Sequence, residues 1–250
     1  MSMILTQTHS ILQDANDSIA NFLSRFQVGN TLRKCRAHKT KGFSTIEIFR
    51  YLLSCMFLQS NTYMSMRIGT YKEAFSKNTI YRFCDDAGIN WHKFVRMLSV
   101  NVIDTFFRPT TSEQRTEYFI IDDTLFAKSG KKTELVSKFF NHVSMKYEKG
   151  FRVLALLWPD GYSNIPVELC PLASDNKNLL VCPAKKLDGR SVAGKIRKQA
   201  QQKAPDLLKN MLKDVVSAGH RAKYVLFDSW FFPQRQFLQL RTTSNLMFLP

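Results

Sequence analysis

Phe119-Ile120-Ile121-Asp122 and Val225-Leu226-Phe227-Asp228 end in the same way, each setting a carboxylate directly after three apolar residues. A short continuous apolar run of this kind reads as a buried strand, and the Asp then stands at its carboxyl edge. If a right-handed crossover makes the two strands parallel neighbours, both carboxylates come to one edge of the sheet, about 4.8 Å apart. Open α/β sheets place their ligands at that edge. Two carboxylates so close repel, and they stay ionised only with a cation between them. Mg²⁺, or Mn²⁺ in its place, suits such a site because it takes a few carboxylates together with water and phosphate oxygens. A pair of such ions can activate an attacking oxygen and stabilise a leaving one at a phosphodiester.

The surrounding sequence supplies the rest of a sheet. Residues 151–158 form a second apolar run, Pro159-Asp160-Gly161 a turn, and residues 165–169 a returning strand. Residues 191–218 read as one helix, with Pro205 suited to a first-turn position, a stripe of Leu207, Leu208, Met211, Leu212 and Val215, and Gly219 closing it. Residues 224–227 follow as a fourth strand, and Pro233 opens another helix with Phe237 and Leu240 on one side. Three strands, a helix, a strand and a helix is the order of a ribonuclease-H-like α/β domain, a mixed sheet with flanking helices over residues 111–250.

Residues 1–110 read as an all-α region. Ser44-Thr45-Ile46-Glu47 is a capping box that opens a helix through Ile46, Phe49, Leu53, Met56 and Phe57. Asn90 precedes a second helix with Trp91, Phe94, Val95, Leu98, Val102 and Phe106 on one stripe, and a weaker stripe runs through Leu12, Ile19, Phe22, Leu23 and Phe26. Between the strong helices a short one, capped by Asn78 or Thr79, presents Tyr81 and Arg82 as candidate DNA contacts or packs through Ile80 and Phe83 as a connector.

Charge points to the partner. The chain of 250 residues has a formal charge of +16, and its pI is near 9.8. Residues 1–110 hold 14 Lys and Arg against 7 Asp and Glu, and residues 111–250 hold 22 against 13, so both halves are basic. A basic surface spread along the chain fits a nucleic-acid track better than one local patch. The strongest clusters are residues 33–41, then Lys128, Lys131, Lys132 and Lys138, then Lys185, Lys186, Arg190, Lys195, Arg197, Lys198 and Lys203 around the single acid Asp188. An exposed helix face has the same composition without a ligand. No apolar run reaches the roughly 20 residues of a membrane span, and no signal-like N-terminus is written, so the expected location is the cytoplasm. The five cysteines are scattered and form no C-x-x-C pair, which predicts reduced, mostly buried thiols.

With these residues in place, Ile121-Asp122-Asp123-Thr124-Leu125-Phe126-Ala127-Lys128-Ser129-Gly130-Lys131-Lys132 resembles the first catalytic segment of insertion-sequence transposases of the two-aspartate-plus-glutamate (DDE) class. In these a strand ends in Asp-x-Thr or Asp-x-Ser. Residues 225–231 are similar to their second segment, and residues 79–91 to the helices before that domain. The resemblance implies a metal-dependent transposase of the bacterial cytosol and nucleoid, acting on double-stranded DNA at terminal inverted repeats and at a target, with a homodimer among its expected assemblies. It implies Asp122 and Asp228 as catalytic metal ligands. Asp123 is the alternative to Asp122, since alternation sends the two to opposite faces of the strand. Lys128, Lys131, Lys132, Arg190, Lys195, Arg197 and Lys198, with Tyr81 and Arg82, are the expected DNA contacts. Asn141-His142 is a further place near the metal, though a lone His is more often structural. One departure is plain: the family's third acid is a Glu on a later helix, and no Asp or Glu follows Asp228. The expectation is therefore a domain incomplete at its C-terminus, truncated or frameshifted, that binds DNA without completing strand transfer.

Overall fold

The structure, a computed structural model, describes residues 2–57, 59, 61–62, 76–110, 112, 116–141, 143–227 and 247–249, with side chains from residue 14 to 227 within these. The chain divides into two compact units, Met1–Asn90 and Trp91–Pro250.

The first unit is helical, as its stripes predict. It contains α1 (Ser2–Arg25), α2 (Val28–Lys34), α3 (Thr45–Phe57) and α4 (Lys77–Cys84). Ile19, Leu23, Phe26, Val28, Leu32, Ile48, Tyr51 and Cys55 are buried. The capping box forms: Ser44 donates its backbone N–H to Glu47 at 2.8 Å, and the Glu47 amide donates to Ser44 Oγ at 3.4 Å. In the basic segment that ends α2 and continues beyond it, Cys35 and Ala37 are buried while Arg33, Lys34, Arg36, Lys39 and Lys41 are exposed. The segment is thus anchored by its small residues and shows its cations to solvent.

The second unit opens with α5 (Trp91–Val102), which lies within the region read as the helical N-terminal part and packs on the sheet. A π-turn (Ile103–Phe107) and a 3₁₀ turn (Arg108–Thr110) lead to β1 (Tyr118–Ala127), β2 (Ser137–Asn141), β3 (Lys146–Pro159) and β4 (Asn164–Leu172). Then come α6 (Val192–Gln199), α7 (Ala204–Ser217), β5 (Tyr224–Phe227) and β6 (Met247–Leu249). The sheet runs β4-β3-β1-β5-β6, with β2 on the same side of β3 as β4. The β3 strand is antiparallel to both β4 and β1, whereas β1, β5 and β6 are parallel. This is the mixed sheet of a ribonuclease-H-like domain.

The core lies on one face of that sheet. Phe119 and Ile121 of β1, Leu154, Leu156 and Trp158 of β3, and Val225 and Phe227 of β5 meet Leu207, Leu208, Met211, Leu212 and Val215 of α7. Full burial of each such side chain contributes about 1.5–3 kcal/mol. Two details correct the sequence reading. The helix expected over residues 191–218 is two, because a proline inside a continuous helix would lack an amide and clash with the carbonyl four residues back, and Pro205 instead stands in the first turn of α7. And β1 does not stop at Asp122 but continues to Ala127, since its antiparallel pairing with β3 outlasts its parallel pairing with β5. The helix expected after Pro233 lies outside the described residues.

Candidate active site

The register of the sheet sets the site. The parallel pairs of β1 and β5 run from Tyr118 opposite Tyr224 to Ile121 opposite Phe227. Asp122 is thus the first β1 residue past the end of β5, and Asp228, which lies outside the described residues, follows Phe227 in sequence.

The two candidates on β1 have different surroundings. Asp122 shares a face with Ile120, opposite to the helix-covered core; its side chain is exposed and one carboxylate oxygen accepts the Asp123 amide N–H at 2.8 Å. Among the described residues no ion pair holds it. Asp123 lies on the face of Phe119 and Ile121, its side chain is only 11% exposed, and Arg152 of β3 pairs with its carboxylate through Nε. A carboxylate neutralised by a guanidinium is a poorer partner for a second cation than one facing water. Hard cations need carboxylate oxygens that can be reached, and Asp122 has them.

The predicted cations differ in exposure and in their partners. Lys128, Lys131 and Lys132 are exposed in the loop after β1, and Lys195 and Lys198 are exposed on α6. Arg190 is exposed and paired with Asp188, whose carboxyl it holds below the ordinary range through side-chain and backbone hydrogen bonds. Arg197 is half-buried and grips both oxygens of Glu134, which also accepts the Lys185 amide; the Arg197 hydrogen bonds hold the Glu134 carboxyl below its usual range. Arg197 thus ties α6 to the segment after β1. Tyr81 and Arg82 are exposed on α4, while Ile80 and Phe83 of that helix are buried, so packing and presentation occur on its two sides. Asn141 caps the β2–β3 turn, with its Oδ1 accepting from the Val143 amide at 2.9 Å; His142 lies outside the described residues.

A cluster that the sequence reading missed joins α5, β4 and α7. Glu168, 1% exposed, accepts from Arg96, and its other oxygen lies 2.5 Å from His92 Nδ1. Arg96 also reaches Asp214 of α7 at 3.1 Å. Cys170 Sγ is 3.6 Å from His92 Nδ1, so His, Glu and Cys donors lie within 4.8 Å of one another. Burial first, and then the Glu168 charge, push the Cys170 thiol above its usual range. With Arg96 neutralising Glu168 and a hydrogen bond joining His92 to it, the charges close without an added ion. The only sequence signal was His92 and Arg96 at i and i+4, which puts both on one side of α5. Their acid is more than 70 positions away, and only the packing of α5 on β4 supplies it. Of the cysteines, Cys35, Cys55 and Cys170 are buried, Cys182 is half-buried and Cys84 is exposed; all are free thiols.

No helix among the described residues is long and apolar enough to cross a membrane. The family model described as DDE superfamily endonuclease matches residues 48–249. No curated protein and no solved structure matches the chain.

Proposed function

The chain belongs to the DDE superfamily endonuclease family, and from that premise we propose that its second unit is the catalytic domain of an insertion-sequence type DNA transposase, with Asp122 and Asp228 as the carboxylates of its metal site. The observation that carries this reading is the parallel pairing of β1 with β5, which ends one residue short of each aspartate. Divalent-metal chemistry is general to the family, and Mg²⁺ or Mn²⁺ would supply an activated oxygen nucleophile and neutralise charge on the phosphate. The chain's own residues do the rest. Asp122 offers an exposed carboxylate, Arg152 holds Asp123 away from that role, and Lys128, Lys131, Lys132, Lys195 and Lys198 attract the DNA backbone. Its DNA would be the terminal inverted repeats of a mobile element and a target duplex, met in the cytosol.

Residues 229–250 contain no acid to serve as a third ligand. That favours a second reading for these 250 residues by themselves: they occupy DNA ends, or pair with intact copies, without cutting. The test is to incubate the chain with duplex DNA and Mg²⁺ or Mn²⁺. Expected are salt-sensitive DNA binding, Mn²⁺ uptake lost in Asp122→Ala and Asp228→Ala, and no strand cleavage. Failure to bind DNA, or cleavage that survives both substitutions, refutes the assignment; equal binding to duplexes with and without inverted-repeat ends favours a nuclease of the same fold.

A further inference from the structure

The β2–β3 hairpin carries side chains that folding does not account for. Its register sets Lys138 opposite Lys149 and Phe140 opposite Tyr147, so these four share one face, while Phe139, Asn141, Lys146 and Glu148 share the other. On the second face the acid is answered within the hairpin: Glu148 accepts from Asn141 Nδ2 at 3.0 Å and from Ser144 Oγ at 2.6 Å. On the first face two lysines are paired directly across the ladder, and like charges so placed weaken a strand pair. Lys149 Nζ donates to the Ser129 carbonyl, which satisfies a hydrogen bond and leaves the charge. Beside them Phe140 and Tyr147 meet edge to face at 5.4 Å, with Tyr147 61% exposed. At the tip Val143 is 95% and Met145 69% exposed. Met145 also holds a left-handed φ of 53°, which Gly or Asn would adopt with less strain. Single exposed apolar residues are ordinary, whereas four on one short basic hairpin mark a contact surface.

The hairpin grows from the edge that bears Asp122. Ala155 lies opposite Asp122 and Lys146 begins β3, so nine residues at about 3.3 Å each put the tip roughly 30 Å beyond the carboxylate, the rise of about nine base pairs. We propose that this hairpin grips duplex DNA beside the cleavage position, with Lys138 and Lys149 on phosphates and Val143 and Met145 entering the minor groove as a bending wedge. A polyanion relieves the facing lysines, and small apolar wedges on a basic ribbon unstack base steps and kink the helix. The assignment rests on the reading of the chain as a DNA-acting domain and adds the surface that takes the flanking duplex.

The test uses the whole chain and a fluorescent duplex of mixed sequence, titrated over a salt series, with end-to-end energy transfer reporting DNA bending. Lys138→Ala with Lys149→Ala makes the slope of log affinity against log salt shallower by about two, and its melting temperature stays level or rises as the repulsion is removed. Val143→Ala with Met145→Ser keeps the slope and loses the bend. A wild-type chain that binds while both variants match it in slope and bending overturns the hairpin assignment alone. A slope that falls with bending intact overturns the wedge. A wild-type chain that does not bind duplex DNA overturns this inference and the proposed function together.

Discussion

Asp122 and Asp123 are neighbours in sequence, and the structure predicts that removing them produces opposite effects. Asp122→Ala removes an exposed carboxylate whose described bond is to the next amide, so stability changes by no more than about 0.5 kcal/mol. Asp123→Ala removes a charge-assisted hydrogen bond between Arg152, which is 29% exposed, and a carboxylate side chain that is 11% exposed. Such a half-buried charged bond contributes about 1.5–3 kcal/mol. For a chain of this size each kcal/mol moves the melting point by about 2–4 °C, so a fall of roughly 3–12 °C is expected for Asp123→Ala and almost none for Asp122→Ala. Metal affinity should behave inversely. Loss of Asp122 removes a ligand and lowers Mn²⁺ affinity by at least about tenfold, while Asp123→Ala keeps it within a few-fold. Differential scanning fluorimetry reads the first quantity and electron paramagnetic resonance of free Mn²⁺ the second. Mn²⁺ binding abolished by Asp123→Ala and untouched by Asp122→Ala would refute the assignment of roles.

Other consequences can be checked on the same preparation. Arg96→Ala leaves the buried Glu168 without its guanidinium and should cost about 3–5 kcal/mol in urea denaturation, whereas Arg96→Met combined with Glu168→Leu should cost clearly less; equal losses would show that burial of charge is not the issue. His220 is buried between Ser99 Oγ, at 2.9 Å, and the Val215 carbonyl, and burial holds its imidazole below the ordinary value of 6.5. The unfolded chain then binds that proton more readily, so His220 contributes stability fully above pH 6.5 and loses it as pH falls from there toward the depressed folded value. Melting points in that window should be less pH-dependent in His220→Gln; an unchanged limb counts against the assignment. Gly150→Ala places a Cβ 2.2 Å from the Phe126 carbonyl oxygen, and the resulting overpacking should cost about 1–3 kcal/mol or more by thermal melting.

What the sequence disclosed was whatever local periodicity could carry. The runs before Asp122 and Asp228, the capping box at Ser44 and Glu47, and the stripe Leu207 to Val215 each specify an element from adjacent residues, and each element formed. The strand Ser137–Asn141 escaped notice because it has no clean alternation and exists by pairing with the start of β3. The break before α7 was misread although Pro205 was recognised, since a stripe that continues in period hides a gap of four residues. Arg152 could not be assigned to Asp123, nor Glu168 to His92 and Arg96, because those pairings are made across strands and between layers. The choice between Asp122 and Asp123 was therefore open in sequence, where alternation says only that the faces differ.

The parallel seam between β1 and β5 joins residues 106 positions apart, Ile121 to Phe227, whereas β1, β3 and β4 form a meander of near neighbours. Closing so long a loop is entropically slower than folding the meander. Asp122 should therefore reach its place early, and the neighbouring strand should dock late; pulse-labelled hydrogen exchange would show β5 amides protected after those of β3. During synthesis, a nascent chain would display its cations to nucleic acid well before any chemistry drawing on both strands could begin, so that grip precedes reactivity in time.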